Sequence, residues 1–156
     1  MVVGGGAAVA DDAGTLGAAL LVAPRGDAGV DGVALGAERT LNPDEPVRHV
    51  TLFEAQAWCV WAGRRLPQEV EWELAATQNR GLQWGALREW TATPYEPYAG
   101  FVAQPADLEL VGRFGTHQAV RGVSFASPAR QRHTRARMAL LPEDDVSFVG
   151  FRSCAV

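Results

Sequence analysis

The chain has 156 residues, of which 47% are apolar and 21% charged, and its formal net charge is −4 at pH 7. This length suits one domain with a real hydrophobic core and is too short for two ordinary domains. The acidic balance argues against general nucleic-acid binding, and all 14 basic residues are arginine.

Cysteine content and the length of apolar runs indicate in which cellular compartment the chain resides. Two cysteines are too few for a disulfide framework, and Cys59 lies in an apolar helical pattern that predicts a small buried side chain. The apolar run Leu16–Ala23 is too short to span a bilayer. The start, MVVGGGAAVADD, lacks the basic residues of a signal peptide. We therefore expect a cytoplasmic protein that does not contact a membrane.

The first 41 residues differ in composition from the rest. Residues 1–40 hold nine of the 17 glycines and no aromatic residue. Because glycine weakens strands, residues 1–41 are predicted to be a Gly/Ala-rich leader that is poorly ordered or forms edge strands near Leu20–Val22 and Val30–Leu35. Residues 42–156 are predicted to form the folded domain.

A helix is predicted after the proline-containing turn at residues 42–50. Thr51 and Glu54 have the spacing of a capping box, which begins the helix. Gly63 is placed to end it after about Ala62. Apolar residues at helical spacing predict its inward face: Phe53, Ala57, Val60 and Trp61.

A second helix is predicted from Pro67 to about Ala76, because proline is tolerated in a first turn and two glutamates lie near the positive end. Its predicted inward residues are Val70, Trp72 and Leu74. Residues 102–118 are predicted to be a loop. Gln118–Phe125 is predicted to be a strand, and Phe148–Arg152 the final strand.

The stretch 84–101, WGALREWTATPYEPYAGF, contains both tyrosines of the chain, Tyr95 and Tyr98. Pro94 and Pro97 fix φ and remove backbone donors, so the tyrosine segment is not an ordinary central strand. Two aromatic rings with hydroxyl tips on a stiff loop favour a small-molecule pocket. The alternative is that both tyrosines pack on the core beneath a long loop.

EWTATPYEPYAGF resembles a signature of the formylglycine-generating-enzyme-like (sulfatase-modifying-factor) fold. Three further stretches fit the same family in order, at residues 46–76, 119–126 and 148–155. More narrowly, the chain resembles the C-terminal domain of iron-dependent ergothioneine and selenoneine synthases. The resemblance implies an α+β fold, a C-type-lectin-like variant with little regular structure, two short helices and a small irregular antiparallel sheet.

The resemblance also implies a function. The chain would be the C-terminal substrate-pocket domain of a non-haem iron oxidoreductase that forms a C–S or C–Se bond on hercynine, a betaine, using a thiol or selenium donor. Tyr95 and Tyr98 match pocket tyrosines of the family and are the predicted catalytic residues, one of them as a proton donor. The predicted substrate-binding residues are Trp90, Phe101, Arg135, Arg137 and Met138.

The family's metal sites are not recognisable in this sequence. The synthases hold iron with three histidines, two of them in an H-x3-H-x-E motif, and His49, His117 and His133 lack that spacing. We expect no metal ligands here, and Fe(II) only from a helical domain absent from the chain, without which it is inactive. Ala129 and Thr134 stand where formylglycine-generating enzymes carry copper-binding cysteines, so formylglycine formation is not expected.

Two departures leave alternatives open. Residues 121–124 read RGVS where the family has R-G-G-S, so Val123 would be strained if that position needs a positive φ. The arginine cluster at 121–137 either binds a carboxylate of the donor, with Arg135 and Arg137 as the candidate binders, or is a solvated face paired with Glu143, Asp144 and Asp145. The whole chain is alternatively a non-catalytic ligand- or protein-binding module on the same fold, or a remnant that folds poorly.

Overall fold

The computed structural model describes residues 31–34, 37–40, 45–78 and 81–156. The predicted strand at Leu20–Val22 and most of the Gly/Ala-rich leader lie outside these ranges. Strand β1 (Asp31–Ala34) pairs antiparallel with β2 (Ala37–Thr40), so a strand is present inside the predicted Val30–Leu35 segment. None of the helices in the described ranges has the length and apolar character needed to cross a bilayer.

Helix α1 (Leu52–Trp61) begins at the predicted capping box. The Thr51 N–H donates to Glu54 Oε2 at 2.8 Å, and the Glu54 N–H donates to Thr51 Oγ1 at 3.2 Å. Such a cap contributes about 1 kcal/mol. Gly63, with φ of +64°, ends the helix as predicted, because glycine adopts the left-handed conformation without a Cβ clash.

The buried face of α1 is not the predicted one. Leu52, Ala55 and Cys59 are buried, whereas Phe53, Val60 and Trp61 are 58%, 81% and 51% exposed. Apolar residues occur all around this helix, so helical spacing alone is compatible with more than one inward stripe. The observed stripe carries two small side chains, which let the helix approach its neighbours closely.

Helix α2 (Glu69–Thr77) begins two residues after Pro67, and the Gln68 N–H at its start donates to Glu71 Oε2 at 2.7 Å. Trp72 is fully buried as predicted. The prediction was wrong for Val70 and Leu74, which are 72% and 51% exposed. The buried stripe of α2 instead consists of Glu69, Trp72 and Ala76.

The central sheet has four strands in the order β6-β5-β4-β7. Their bounds are β4 Arg88–Pro94, β5 Gln118–Arg121, β6 Arg137–Leu140 and β7 Val149–Phe151. Neighbours are antiparallel except β4 and β7, which are parallel. A short antiparallel pair of β3 (Arg64–Arg65) with β8 (Cys154–Ala155) completes the domain. The α+β prediction is confirmed, and the structure adds the parallel pairing.

Two connecting segments differ from the prediction. A third short helix, α3 (Leu108–Val111), lies within residues 102–118, which were predicted to be a loop. The strand predicted to reach Phe125 ends at Arg121, because Gly122 turns the chain with φ of +74°. Val123 is not strained, since His49 is the one non-glycine residue with a positive φ in the described part of the chain.

The two faces of the sheet differ in chemistry. Successive strand residues point to opposite faces. Trp90, Val120 and Met138 are cross-strand neighbours on the apolar face, which packs with α1 in the main core. The opposite face lies against α2 and carries a charged cross-strand row: Glu89, Arg121 and Arg137.

Candidate functional site

The two tyrosines lie immediately beyond the end of β4. Strand β4 ends at Pro94, and the Tyr95 N–H still donates to the His117 carbonyl at 2.9 Å, so the chain leaves the sheet after Tyr95. Tyr95 is buried and stacks on Phe114 with ring centroids 5.7 Å apart. Tyr98 is 61% exposed. The core-packing alternative therefore holds for Tyr95 but not for Tyr98.

Arg137 lies between the two tyrosine rings. Its Cζ atom is 4.1 Å from the Tyr95 ring centroid and 4.5 Å from the Tyr98 centroid. One terminal nitrogen also donates to the Glu96 carbonyl at 2.9 Å. The side chain of Arg137 is 13% exposed. The structure thus brings together three of the residues that the sequence singled out.

Glu69 of α2 contacts both Tyr98 and Arg137. Its carboxylate accepts the Tyr98 hydroxyl at 2.5 Å and lies 2.7 Å from Arg137 Nε. It also accepts from Arg121 Nη1 at 3.2 Å, while its side chain is only 8% exposed. One buried carboxylate therefore fixes a phenol and two guanidinium groups. We call Tyr95, Tyr98, Glu69, Arg121 and Arg137 the Glu69 cluster.

Glu69 was not among the predicted site residues. Its position near the start of a helix predicted only a favourable interaction with the positive helix end. A signal was present, because Glu69 shares an i, i+3, i+7 stripe with Trp72 and Ala76, the residues buried on α2. An acidic residue on such a stripe needs a buried cation, and the arginine-rich strands of this chain provide two.

The arginines pair with α2. Arg121, with a side chain 1% exposed, bonds both Glu69 and Glu73. Arg135 Nε lies 3.6 Å from Glu73 Oε1, but its side chain is 80% exposed. The interpretation that paired the arginine cluster at 121–137 with Glu143, Asp144 and Asp145 is therefore wrong for Arg121, Arg135 and Arg137.

Besides Arg135, three predicted substrate-binding residues lie outside the cluster. Phe101 packs edge-on against Phe114, the ring that stacks on Tyr95, with centroids 5.6 Å apart. Trp90 is fully buried in the main core, where its indole N–H donates to the Val50 carbonyl at 2.8 Å. Met138 packs against that same core. The structure places Trp90 and Met138 on the opposite face of the sheet from the cluster.

Electrostatics keeps the Tyr98 phenol protonated. Burial raises its pKa above the ordinary value, and the hydrogen bond to the Glu69 carboxylate raises it further. Arg137 and Arg121 oppose this shift with smaller effects. At neutral pH the hydroxyl is thus a neutral donor to Glu69. Among the described residues, the structure shows no group that accepts a hydrogen bond from the Tyr95 hydroxyl.

A second buried ion pair, between Glu89 and Arg152, lies next to the Glu69 cluster. Glu89 accepts from the Trp72 indole N–H at 2.7 Å and from an Arg152 terminal nitrogen at 2.6 Å. Arg152 also donates to the Gln83 carbonyl at 2.8 Å. Since Arg121 Cζ lies 5.9 Å from the Trp72 ring centroid, the indole is held between the two ion pairs.

The three histidines lie in separate surroundings. His49 packs against Phe148, His117 Nδ1 lies 2.9 Å from Thr116 Oγ1, and His133 is exposed. Both cysteines are free and buried, and burial raises the pKa of the Cys59 thiol to about 11. Within the described ranges, no three His, Cys, Asp or Glu residues are grouped so that they could hold a metal ion. These residues do not fit an iron site.

Comparisons with known proteins agree with the motifs. Residues 25–84 match the family model described as "Sulfatase-modifying factor enzyme 1-like domain". The chain is similar to the hercynine oxygenase of Mycolicibacterium thermoresistibile, with 33% identity over 140 residues, 57% of this chain and 31% of that protein.

Two other relatives match shorter parts. The hercynine oxygenase of Mycobacterium tuberculosis is 42% identical over 77 residues, 46% of this chain and 17% of that protein. The formylglycine-generating enzyme of Bos taurus is 52% identical over 47 residues, 28% of this chain and 13% of that protein. The chain spans less than a third of the length of these relatives. The predicted resemblance is confirmed, whereas the domain boundary at residue 42 stays a prediction.

Proposed function

We propose that this chain, as a relative of hercynine oxygenases and formylglycine-generating enzymes, forms the substrate-pocket wall of a hercynine-oxygenase-like enzyme. Its substrates would be a hercynine-like betaine and a thiol or selenium donor, joined by an oxidative C–S or C–Se bond. One observation carries the proposal: both tyrosines, on a single stiff loop, assemble with Arg137 over buried Glu69. The similarity to hercynine oxygenases supports the choice of substrate.

The two tyrosines have different roles in this proposal. Tyr98 already donates its proton to Glu69, so it orients the cluster and presents an aromatic face. Tyr95, without a hydrogen-bond partner among the described residues, is the proton donor to the substrate. Aromatic faces attract a trimethylammonium group, and each such contact contributes about 0.5 to 2 kcal/mol.

The iron that such a reaction uses is assigned to a helical domain outside this chain. Bound iron would supply the oxygen chemistry, whereas the described residues contain no suitable group of ligands. This chain's own residues bind and orient the substrate and hold a proton at the Tyr95 hydroxyl. Stoichiometric iron in the purified chain alone, measured by elemental analysis, would contradict this division of roles.

Calorimetric titration of hercynine into the full chain tests the proposal. We expect binding that Tyr98→Leu weakens by about tenfold, since the aromatic face is lost. Phe53→Leu is the matched control, because Phe53 is a similarly exposed aromatic residue on α1, on the other side of the sheet. Equal loss in both variants, or no binding by the folded chain, would contradict a hercynine pocket at this site.

A second function, a non-catalytic binding module, is favoured by one observation. Arg121 and Arg137 already have carboxylate partners, so neither is free to bind the carboxylate of a donor. A module of this kind would bind its ligand equally well with and without a metal chelator. Titrations repeated with a chelator, and with added Fe(II), distinguish the two functions.

A further inference from the structure

Two aromatic rings and two oxygen acceptors lie around the Arg137 guanidinium. Its Cζ atom lies over two tyrosine rings, 4.1 and 4.5 Å from their centroids, both within the ~6 Å range of cation–π attraction. The Glu69 carboxylate and the Glu96 carbonyl accept from its edge at 3.0 and 2.9 Å. Two aromatic faces and two oxygen acceptors form the kind of site that recognises a planar organic cation.

We propose that Tyr95, Tyr98 and Glu69 form a cation cage, filled in this chain by its own Arg137, and that a guanidinium-type cation takes this place when the arginine is removed. Arg137 is then a positioning residue, which sets the distance between the two rings. The inference goes beyond the proposed function, because it holds whether or not the chain acts on hercynine.

An ordinary ion pair does not account for this arrangement. Glu69 already has a cationic partner in Arg121, and Glu73, which Arg121 also bonds, has Arg135 Nε at 3.6 Å, so neither carboxylate depends on Arg137 alone for a counter-charge. Tyr98 is 61% exposed, yet its ring lies over the guanidinium and its hydroxyl reaches Glu69. A planar guanidinium can stack between two rings and bond along its edge, which an ammonium group cannot do.

The same contacts indicate that Arg137→Ala, the variant that tests the cage, still folds. In Arg137→Ala, the Glu69 carboxylate keeps Arg121 as its partner, so no isolated charge is left buried. Tyr98 keeps its hydrogen bond to Glu69, and Tyr95 keeps its stack on Phe114. The variant therefore leaves an open space lined by two rings and a carboxylate, of the size of a guanidinium group and two methylene groups.

The test is a titration of the full chain with methylguanidinium, followed by nuclear magnetic resonance at constant ionic strength. We expect Arg137→Ala to bind methylguanidinium about tenfold more tightly than the unaltered chain does, as cation–π and charge-assisted contacts allow. Urea, a neutral planar molecule of similar shape, should not bind. The double variant Arg137→Ala with Tyr98→Leu should lose the site.

Two results would overturn the cage: a folded Arg137→Ala chain that binds methylguanidinium no better than the unaltered chain, or one that binds urea equally well. If Arg137→Ala does not fold, a comparison of Tyr98→Phe with Tyr98→Leu tests the cage instead. Ring-current shifts of the Arg137 side-chain protons should persist in Tyr98→Phe and fall in Tyr98→Leu, and equal shifts in both would refute the cage. These readouts do not involve hercynine, so failure of the cage and failure of the proposed function are separable.

Discussion

Arg121 and Arg137 lie directly opposite each other on β5 and β6, and both guanidinium groups reach the same Glu69 carboxylate. Like charges that face each other across a sheet are destabilising. A buried acidic residue on α2 removes the repulsion and, through Tyr98, ties the loop after β4 to the helix. The site thus depends on a helix residue that contributes no aromatic surface of its own.

Replacing Glu69 should therefore destabilise the whole domain. Glu69→Gln keeps the shape of the side chain but leaves two buried arginines without their shared counter-charge. Removing one partner of a buried ion pair costs about 3 to 5 kcal/mol. Urea denaturation of the full chain measures this loss of unfolding free energy.

Glu71→Gln is the matched control for this prediction. Glu71 lies on the same helix and pairs with Arg65, but the side chains are 38% and 42% exposed. Exposed pairs contribute about 0 to 1 kcal/mol. A Glu69→Gln chain no less stable than the Glu71→Gln chain would show that the buried carboxylate does not organise this face.

The same Glu71 predicts a pH dependence at the acid end. Its hydrogen bond from Arg65, and then that from the Gln68 N–H, lower its pKa to about 2. A lowered folded-state pKa gives stability that is present above the unfolded value near 4.5 and is lost as the pH falls toward 2. Between these pH values, the free energy of unfolding should depend less steeply on pH for Glu71→Gln than for the unaltered chain. An unchanged slope would show that the pair is fully screened by solvent.

Tyr98 predicts a change at the alkaline end. Its raised pKa means that the protonated phenol stabilises the fold below the ordinary value of 10.0, and that this contribution is lost as the pH rises above it. Ultraviolet titration should show the Tyr98 phenol ionising above the ordinary pKa of 10.0 in the folded chain. Glu69→Gln should move that ionisation to lower pH, because it removes the carboxylate. A titration unaffected by this substitution would contradict the Tyr98–Glu69 hydrogen bond.

The cysteines should be unreactive in the folded chain. Cys59 is 3% exposed, and burial, followed by the nearby Cys154, raises the pKa of its thiol to about 11, so little thiolate is present near neutral pH. Burial also raises the pKa of Cys154. Alkylation with iodoacetamide should be slow in buffer and fast in urea. Rapid modification of either thiol under native conditions would show that the contact of α1 with β3 and β8 opens locally.

Local signals in the sequence were sufficient for part of this structure. The capping box at Thr51 and Glu54 and the glycine at position 63 predicted the bounds of α1, because caps act through neighbouring residues alone. The prolines predicted that the chain leaves the sheet near the tyrosines, which it does after Tyr95. The motif resemblance selected Tyr95, Tyr98 and Arg137, which the structure brings into contact.

The remaining features depend on long-range pairing. Neither the buried face of α1 nor that of α2 followed from spacing, because apolar residues occur on several sides of both helices. Glu69 became a central residue only because β5 and β6 place two arginines opposite each other, and their register is not visible in a single sequence. Trp90 belongs to the core for the same reason, since alternation along β4 turns it away from α2.

The central claim is that the tyrosine pair lines a pocket for a hercynine-like betaine. The most direct measurement is a search for nuclear Overhauser effects between the trimethylammonium protons of bound hercynine and the ring protons of Tyr95 and Tyr98 in the full chain. The account predicts contacts to both rings, with those to position 98 lost in Tyr98→Leu. Hercynine that binds with contacts elsewhere and none to either tyrosine would contradict it.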